Sequence, residues 1–290
     1  MYATMMAFFK SWFVYPGLSW EWLLLGIALA VVFGAIWLAA YWPPLFKKPW
    51  LWAVLAGSAV LTLLAITYVQ IPLQSWIGQA LSNYLSQDTL LHWLLLAAIP
   101  QILVGGLVQE GAKMVPVVLW WWRSGRRIDP QMGLLIGAVA GAGLGIFEAV
   151  WSHNQIFMSG WTWAAVQTSG MVALAGFWER FIIVAFHTSV AALVGYGLAR
   201  GWGWQSYLIA GGLHGLMNYS ALFYRTGIFS GVLQVELYAG AIAGLLTAAG
   251  LWLRWRKGPE MLSPEPVMPG AGESPPPGAG EAPAPGGDTP

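Results

Sequence analysis

Stretches of about 20 predominantly apolar residues, the length that crosses a bilayer core as a helix, recur seven times along this chain. They cover residues 19–41, 50–70, 93–121, 132–154, 176–199, 204–224 and 232–254. The expected fold class is therefore all-α, a polytopic membrane bundle of about seven transmembrane helices. Composition agrees: 58% of residues are hydrophobic and only 9% charged, against about 25% charged in soluble domains. Such a chain cannot cover a globule with polar surface, so its solvent must be largely the lipid bilayer. Twenty tryptophans suit anchors at the two membrane interfaces. The absence of cysteine excludes disulfides, thiolate metal sites and a cysteine nucleophile. A net charge of +1 says little about partners, and nothing in the sequence resembles a footprint for nucleic acid.

Loop charges orient the bundle. Lys47 and Lys48 follow the first span; Arg123, Arg126 and Arg127 follow the third; Arg200 follows the fifth; Arg254, Arg256 and Lys257 follow the seventh. The opposite loops hold one basic residue, Arg225. Positive loops stay cytoplasmic, which puts the N-terminus outside and the C-terminus in the cytoplasm. Residues 1–18, with Lys10 and several aromatics, read as an interfacial segment before a transmembrane domain over 19–257. Residues 71–92 suit an amphipathic surface helix, and 161–175 an interfacial or re-entrant piece. Residues 258–290 carry 10 of the 18 prolines, five acids and no basic residue, a composition that buries too little apolar surface to order itself. They are expected to form a disordered cytoplasmic tail.

Ionisable residues inside the apolar spans are the exception that needs explaining. A charge at the bilayer centre costs roughly 2.5–3.5 kcal/mol on insertion scales, so such residues mark function by default. At 1.5 Å per residue, Glu110 lies roughly 5 Å to the cytoplasmic side of its midpoint and Glu148 about 7 Å to the outer side. His187 and His214 lie within about 2 Å of theirs. Four helices thus bring four ionisable groups to one layer. His214 and Asn218 are four apart and share a helical face. Gly141 and Gly145 lie on the side of Glu148 and let a neighbouring helix approach it. Lys113, three residues after Glu110, can pair with it or with Gln109, and Pro116 removes a backbone donor and is expected to kink the helix.

Two chemistries fit this set. In one, His187, His214 and Glu148 form a 2-His-1-carboxylate shell for Zn2+, with water as fourth ligand and Glu110 as general base. In the other, Glu110 and a histidine activate water without metal, while His214 and Asn218 donate to the oxyanion. Both hydrolyse amides. Taken singly, Glu110 reads equally well as a structural partner of Lys113, each histidine as an interhelical hydrogen-bond partner, and Asn218 as interhelical glue; the common depth favours a reaction centre. His92 and His153, near span ends, read as interfacial, with His153 held in reserve for the site. Glu179, Arg180 and Glu236 read as an ion-pair group towards the outer face, and Trp120–Trp122 as an interface belt. A rival class is a transporter or proton-coupled carrier, whose sites also use midplane acids, although no pair of similar halves is evident.

The motifs Gln109-Glu110-Gly-Ala-Lys113, Gly145-Ile-Phe-Glu148 with Trp151, Arg180 with His187 and Gly195, and His214-Gly-Leu-Met-Asn218 together resemble the PrsW family of intramembrane proteases. That family stands in a wider group with the CAAX prenyl proteases and bacteriocin-processing enzymes. The resemblance covers about residues 95–224, the expected catalytic core. It implies an intramembrane endopeptidase, of metallo- or glutamic type, acting on membrane-anchored proteins or peptides in regulated proteolysis in a bacterial cytoplasmic membrane. By position, Glu110 matches the water-activating second glutamate, Lys113 the basic residue that follows, Glu148 the acid of the Phe-Glu motif, His187 and His214 the two histidines, and Asn218 the last asparagine. Gln109 replaces the family's first glutamate, and Trp151 a position that is often aromatic-hydroxyl. The first departure raises the alternative of a catalytically impaired, chaperone-like relative.

Overall fold

The computed structural model describes residues 1–256, which fold as helices joined by short turns, with no strand among them. The helices are α1 (Tyr2–Ser11), α2 (Trp20–Tyr41), α3 (Trp50–Ala65), α4 (Ile71–Tyr84), α5 (Gln87–His92), α6 (Leu94–Ala97), α7 (Ile99–Arg123), α8 (Pro130–Met158), α9 (Trp163–Ser169), α10 (Ala175–Ala199), α11 (Gly203–Arg225) and α12 (Val232–Trp255). Six helical stretches among the described residues are long and apolar enough to cross a membrane, and together they make an integral membrane protein. Six of the seven expected spans fall on them. The remaining one, at 204–224, folds as the 23-residue α11 but is too polar to count by composition, because Gln205, His214, Asn218 and three glycines dilute its apolar residues. The expected disordered tail lies outside the described residues.

Small residues set the architecture. α8 and α10 run antiparallel at the centre, in contact along most of their length. Gly133, Gly137, Gly141 and Gly145 recur every four residues on α8 and meet Gly195, Ala191, His187 and Val184 of α10. A Cβ on Gly137 or Gly141 would collide with the carbonyl oxygen of Ala191 or His187. Without a hydrophobic drive between helices in lipid, this close backbone contact supplies the dispersion energy that joins them. α3 packs on another side of α8, where Gly143 faces the Leu55 carbonyl and Ser58 Oγ donates to the Ala140 carbonyl (2.6 Å). A second antiparallel seam joins α7 and α11 through Gly106 and Gly211, flanked by Tyr207 and Tyr219 hydroxyls that donate to the Leu107 and Leu95 carbonyls.

Several expectations change in detail. Residues 71–84 are not a separate surface helix: α3 runs through a π-helical turn, Ile66–Gln70, directly into α4. α7 passes Pro116 without interruption. The N-terminal segment docks on the bundle, with Trp12 buried in a stack with Phe147 and Trp151, both at 5.0 Å. His153 is fully buried rather than interfacial. Gly26 on α2 exposes its carbonyl there, 3.0 Å from His153 Nδ1, and Phe33 and Phe177 cover the ring. Its burial serves helix packing. His92 is exposed beside Trp93, as its place near a span end suggests.

Candidate active site

The two glycine seams converge on one chain of polar side chains. Gly106 and Gly211 lie one turn before Glu110 and His214, so the backbones of α7 and α11 approach closely enough for those side chains to touch. On the other seam, Gly141 abuts the backbone of His187. Glu110 and Lys113 are three residues apart on α7 and both fully buried, with Lys113 Nζ 2.7 Å from Glu110 Oε1. His214 Nδ1 lies 2.7 Å from the same oxygen. Lys113 Nζ also reaches His187 Nδ1 at 3.2 Å, and His187 Nε2 lies 3.0 Å from Glu148 Oε2. Arg180 then donates to Glu148 Oε1 (2.9 Å), to Ser152 Oγ (3.3 Å) and to Glu179. The path His214–Glu110–Lys113–His187–Glu148–Arg180–Glu179 is unbroken.

The partners dictate protonation. An ammonium only donates, so Lys113 requires a lone pair on His187 Nδ1. His187 is therefore neutral, with its proton on Nε2 and directed at Glu148. A carboxylate only accepts, so His214 carries a proton on Nδ1. The path holds three carboxylates and the cations Lys113 and Arg180. Pairing limits the cost of holding these charges away from water, because a buried ion that loses its partner is strongly destabilising. One atom stands apart: Glu110 Oε2 is buried and has no hydrogen-bond partner among the described residues. A buried acceptor left open in an otherwise satisfied network marks a place for a water or a metal.

One donor atom each from Glu110, His187 and His214 lie within 4.8 Å of one another, close enough to share an ion. Two imidazole nitrogens and a carboxylate oxygen suit zinc, and Glu110 Oε2 is unpartnered, but both nitrogens of His187 are committed, so a metal here would have to displace the Lys113 ammonium from Nδ1. The carboxylate of this group is Glu110, whereas the shell expected from sequence uses Glu148. Glu148 instead binds the far nitrogen of His187, the position from which a carboxylate fixes the tautomer of a metal-binding histidine. Lys113 Nζ already contacts two of the three donors.

A cavity of about 120 Å³ opens onto the path, lined by Glu148, Glu179, Arg180, His187, His214 and Asn218 among others. It has room for water and a peptide group but not for a helix about 10 Å across. Asn218 is exposed at this cavity rather than joined to the buried path. Gln109 turns away from Glu110. Its Nε2 donates to Gln70 Oε1 (3.1 Å), and a glutamine ladder continues through Gln74 to the carbonyl of Gln101. Sequence reasoning missed Gln70 and Gln74, whose spacing of four inside apolar sequence was the available signal, and it read Arg180 and Glu179 as a separate structural pair. Trp151 donates to Ser11 Oγ (3.3 Å) and anchors the N-terminal segment, outside the polar path.

A family model described as "PrsW family intramembrane metalloprotease" matches residues 47–246, more than half of the chain. No curated protein and no solved structure matches.

Proposed function

Because the chain belongs to the PrsW family of intramembrane metalloproteases, we propose that it is an endopeptidase that hydrolyses peptide bonds of membrane-anchored proteins or peptides. The observation that carries this reading is Glu110: fully buried, held through Oε1 by Lys113 and His214, with Oε2 left without a hydrogen-bond partner among the described residues. Glu110 takes the proton of the attacking water through Oε2 and passes it to the leaving amine. Lys113 and His214 hold the carboxylate in one orientation, which lowers the reorganisation needed at the moment of transfer. Glu148, itself fixed by Arg180, orients His187. Asn218, on the cavity wall, donates to the developing oxyanion. In the alternative with metal, Glu110, His187 and His214 would hold a Zn2+ that would supply Lewis-acid activation of water and of the scissile carbonyl, and Glu110 Oε2 would then be a ligand in place of the base.

The substrate segment must arrive unwound, since a helix keeps its amides bonded to itself and the cavity excludes a helix. Cleavage sites rich in Gly, Pro or Ser are expected. The basic residues 47–48, 123–127, 200 and 254–256 follow α2, α7, α10 and α12, and with α11 crossing as a seventh span they share one side. This supports a cytoplasmic C-terminus in a bacterial cytoplasmic membrane. The test compares N-termini of membrane proteins, by mass spectrometry, in cells expressing wild type or Glu110→Ala at matched levels. New termini close to transmembrane segments, present with wild type alone, are the expected result. Identical termini under several stresses would overturn the reading.

A further inference from the structure

Beside the catalytic cavity lies a larger one of about 640 Å³, walled almost entirely by apolar groups from α2, α10, α12 and the turn before α10, including Phe33, Phe181 and Leu233. One carboxylate interrupts it. Glu236 is only 8% exposed, lines this cavity, and its Oε2 has no hydrogen-bond partner among the described residues. The nearby guanidinium is already committed, since Arg180 serves both Glu148 and Glu179. Three carboxylates around one cation leave this region short of positive charge, and Glu236 bears the deficit. An unpaired buried carboxylate is costly, so a cation brought in with a ligand would be bound strongly.

The two cavities share a wall. Glu179 and Arg180 of α10 line the catalytic one, and their neighbours Trp178 and Phe181 line the apolar one. On α12 the same alternation holds for Val235 and Glu236. Glu236 is the fifth residue of α12, roughly 6 Å from the helix start. That is the depth at which a Lys or Arg at the end of a transmembrane segment lays its aliphatic stem along apolar surface and keeps its charge near the interface. Aromatic walls suit both the stem and the cation.

We propose that Glu236 anchors a substrate-recognition site, distinct from the catalytic path, that selects a membrane segment bearing a basic residue at its end nearest the start of α12. The apolar cavity holds the adjoining hydrophobic residues, and the neighbouring stretch of substrate enters the catalytic cavity across the α10–α12 wall. This deepens the protease reading and rests on it, so its test reads binding and not cleavage. Full-length protein carrying His214→Ala, silent in cleavage, is reconstituted in phosphatidylcholine vesicles, which contain no primary amine. Its folding is checked by gel filtration in detergent. Labelled Leu/Ala transmembrane peptides with a single Lys, Gln or Glu at that end are titrated by energy transfer.

The Lys peptide is expected to bind about tenfold tighter than the Gln peptide, equivalent to about 1.4 kcal/mol. Glu236→Gln should erase the preference, and Glu236→Lys should shift it to the Glu peptide. Equal binding of the Lys and Gln peptides, or a preference that survives Glu236→Gln, would overturn the proposal. Loss of the preference on adding phosphatidylethanolamine, in protein with Glu236 alone, would assign the site to an amine-headed lipid and overturn it equally. A lysine preference in the His214→Ala protein, together with no cleavage by wild type, would leave this site standing while removing the protease reading.

Discussion

Substituting Gly141 by alanine tests whether the α8–α10 seam positions His187, as the proposed mechanism requires. A Cβ there would collide with the His187 carbonyl oxygen and stand 2.8 Å from the Cα of Thr188. Unstrained carbon contacts lie at about 3.5–4.0 Å, so α10 must retreat by roughly 1 Å at the residue that carries the imidazole. Overpacking of this kind costs about 1–3 kcal/mol of stability, and a 1 Å misplacement of a reacting group costs about 100-fold in rate. The assay is single-turnover cleavage, in proteoliposomes, of a membrane segment identified by terminal mapping. Gly145→Ala meets Val184 Cα at 3.1 Å and should do less damage; Gly244→Ala, with nothing within 4 Å of the new Cβ, should do none. Wild-type turnover in a folded Gly141→Ala protein, or equal losses in all three, would refute the reasoning.

Further outcomes follow from the same geometry. Lys113→Met strands the fully buried Glu110 and should cost about 3–5 kcal/mol, read as a lower melting temperature in detergent; adding Glu110→Gln should recover much of that loss, because the stranded charge is gone. Asn218→Ala should lower turnover by about 10²–10³-fold if it donates to the oxyanion, with the melting temperature unchanged because Asn218 is exposed. If Glu110, His187 and His214 hold zinc, purified wild type should carry one zinc per chain by plasma mass spectrometry, with His214→Ala and His187→Ala losing it and Asn218→Ala retaining it. Equal zinc in all four would remove the Glu110–His187–His214 assignment.

The bundle was legible because apolar runs of membrane-spanning length cannot be hidden, and because Glu110 and Lys113, three apart, can only face one another on a helix. The convergence of four ionisable groups was legible from depth. Depth carries no azimuth, however, and this is where the expected zinc shell parts from the structure. Glu148 bonds His187 from one side, and only the helix rotations in the folded bundle place Glu110, and not Glu148, with the two histidines. The Gln109–Gln70 bond was not legible, since it depends on α3 continuing through a π turn so that α4 runs beside α7. His153 misled for a related reason. Its place near a span end suggests the interface, but Gly26 on a distant stretch of sequence leaves a carbonyl within its reach. The polarity that keeps α11 below the threshold of a membrane span comes partly from His214 and Asn218, the residues that serve the site.

The central claim is that the open oxygen of Glu110 handles the proton of the attacking water, and Glu110→Gln tests it most directly. The amide is isosteric and keeps an acceptor for Lys113 and His214, so the fold and membrane insertion should survive. In single-turnover cleavage of a mapped substrate segment by reconstituted full-length protein, the account predicts a loss of at least about 10²-fold with unchanged binding of the segment. Turnover within a factor of two of wild type would contradict it.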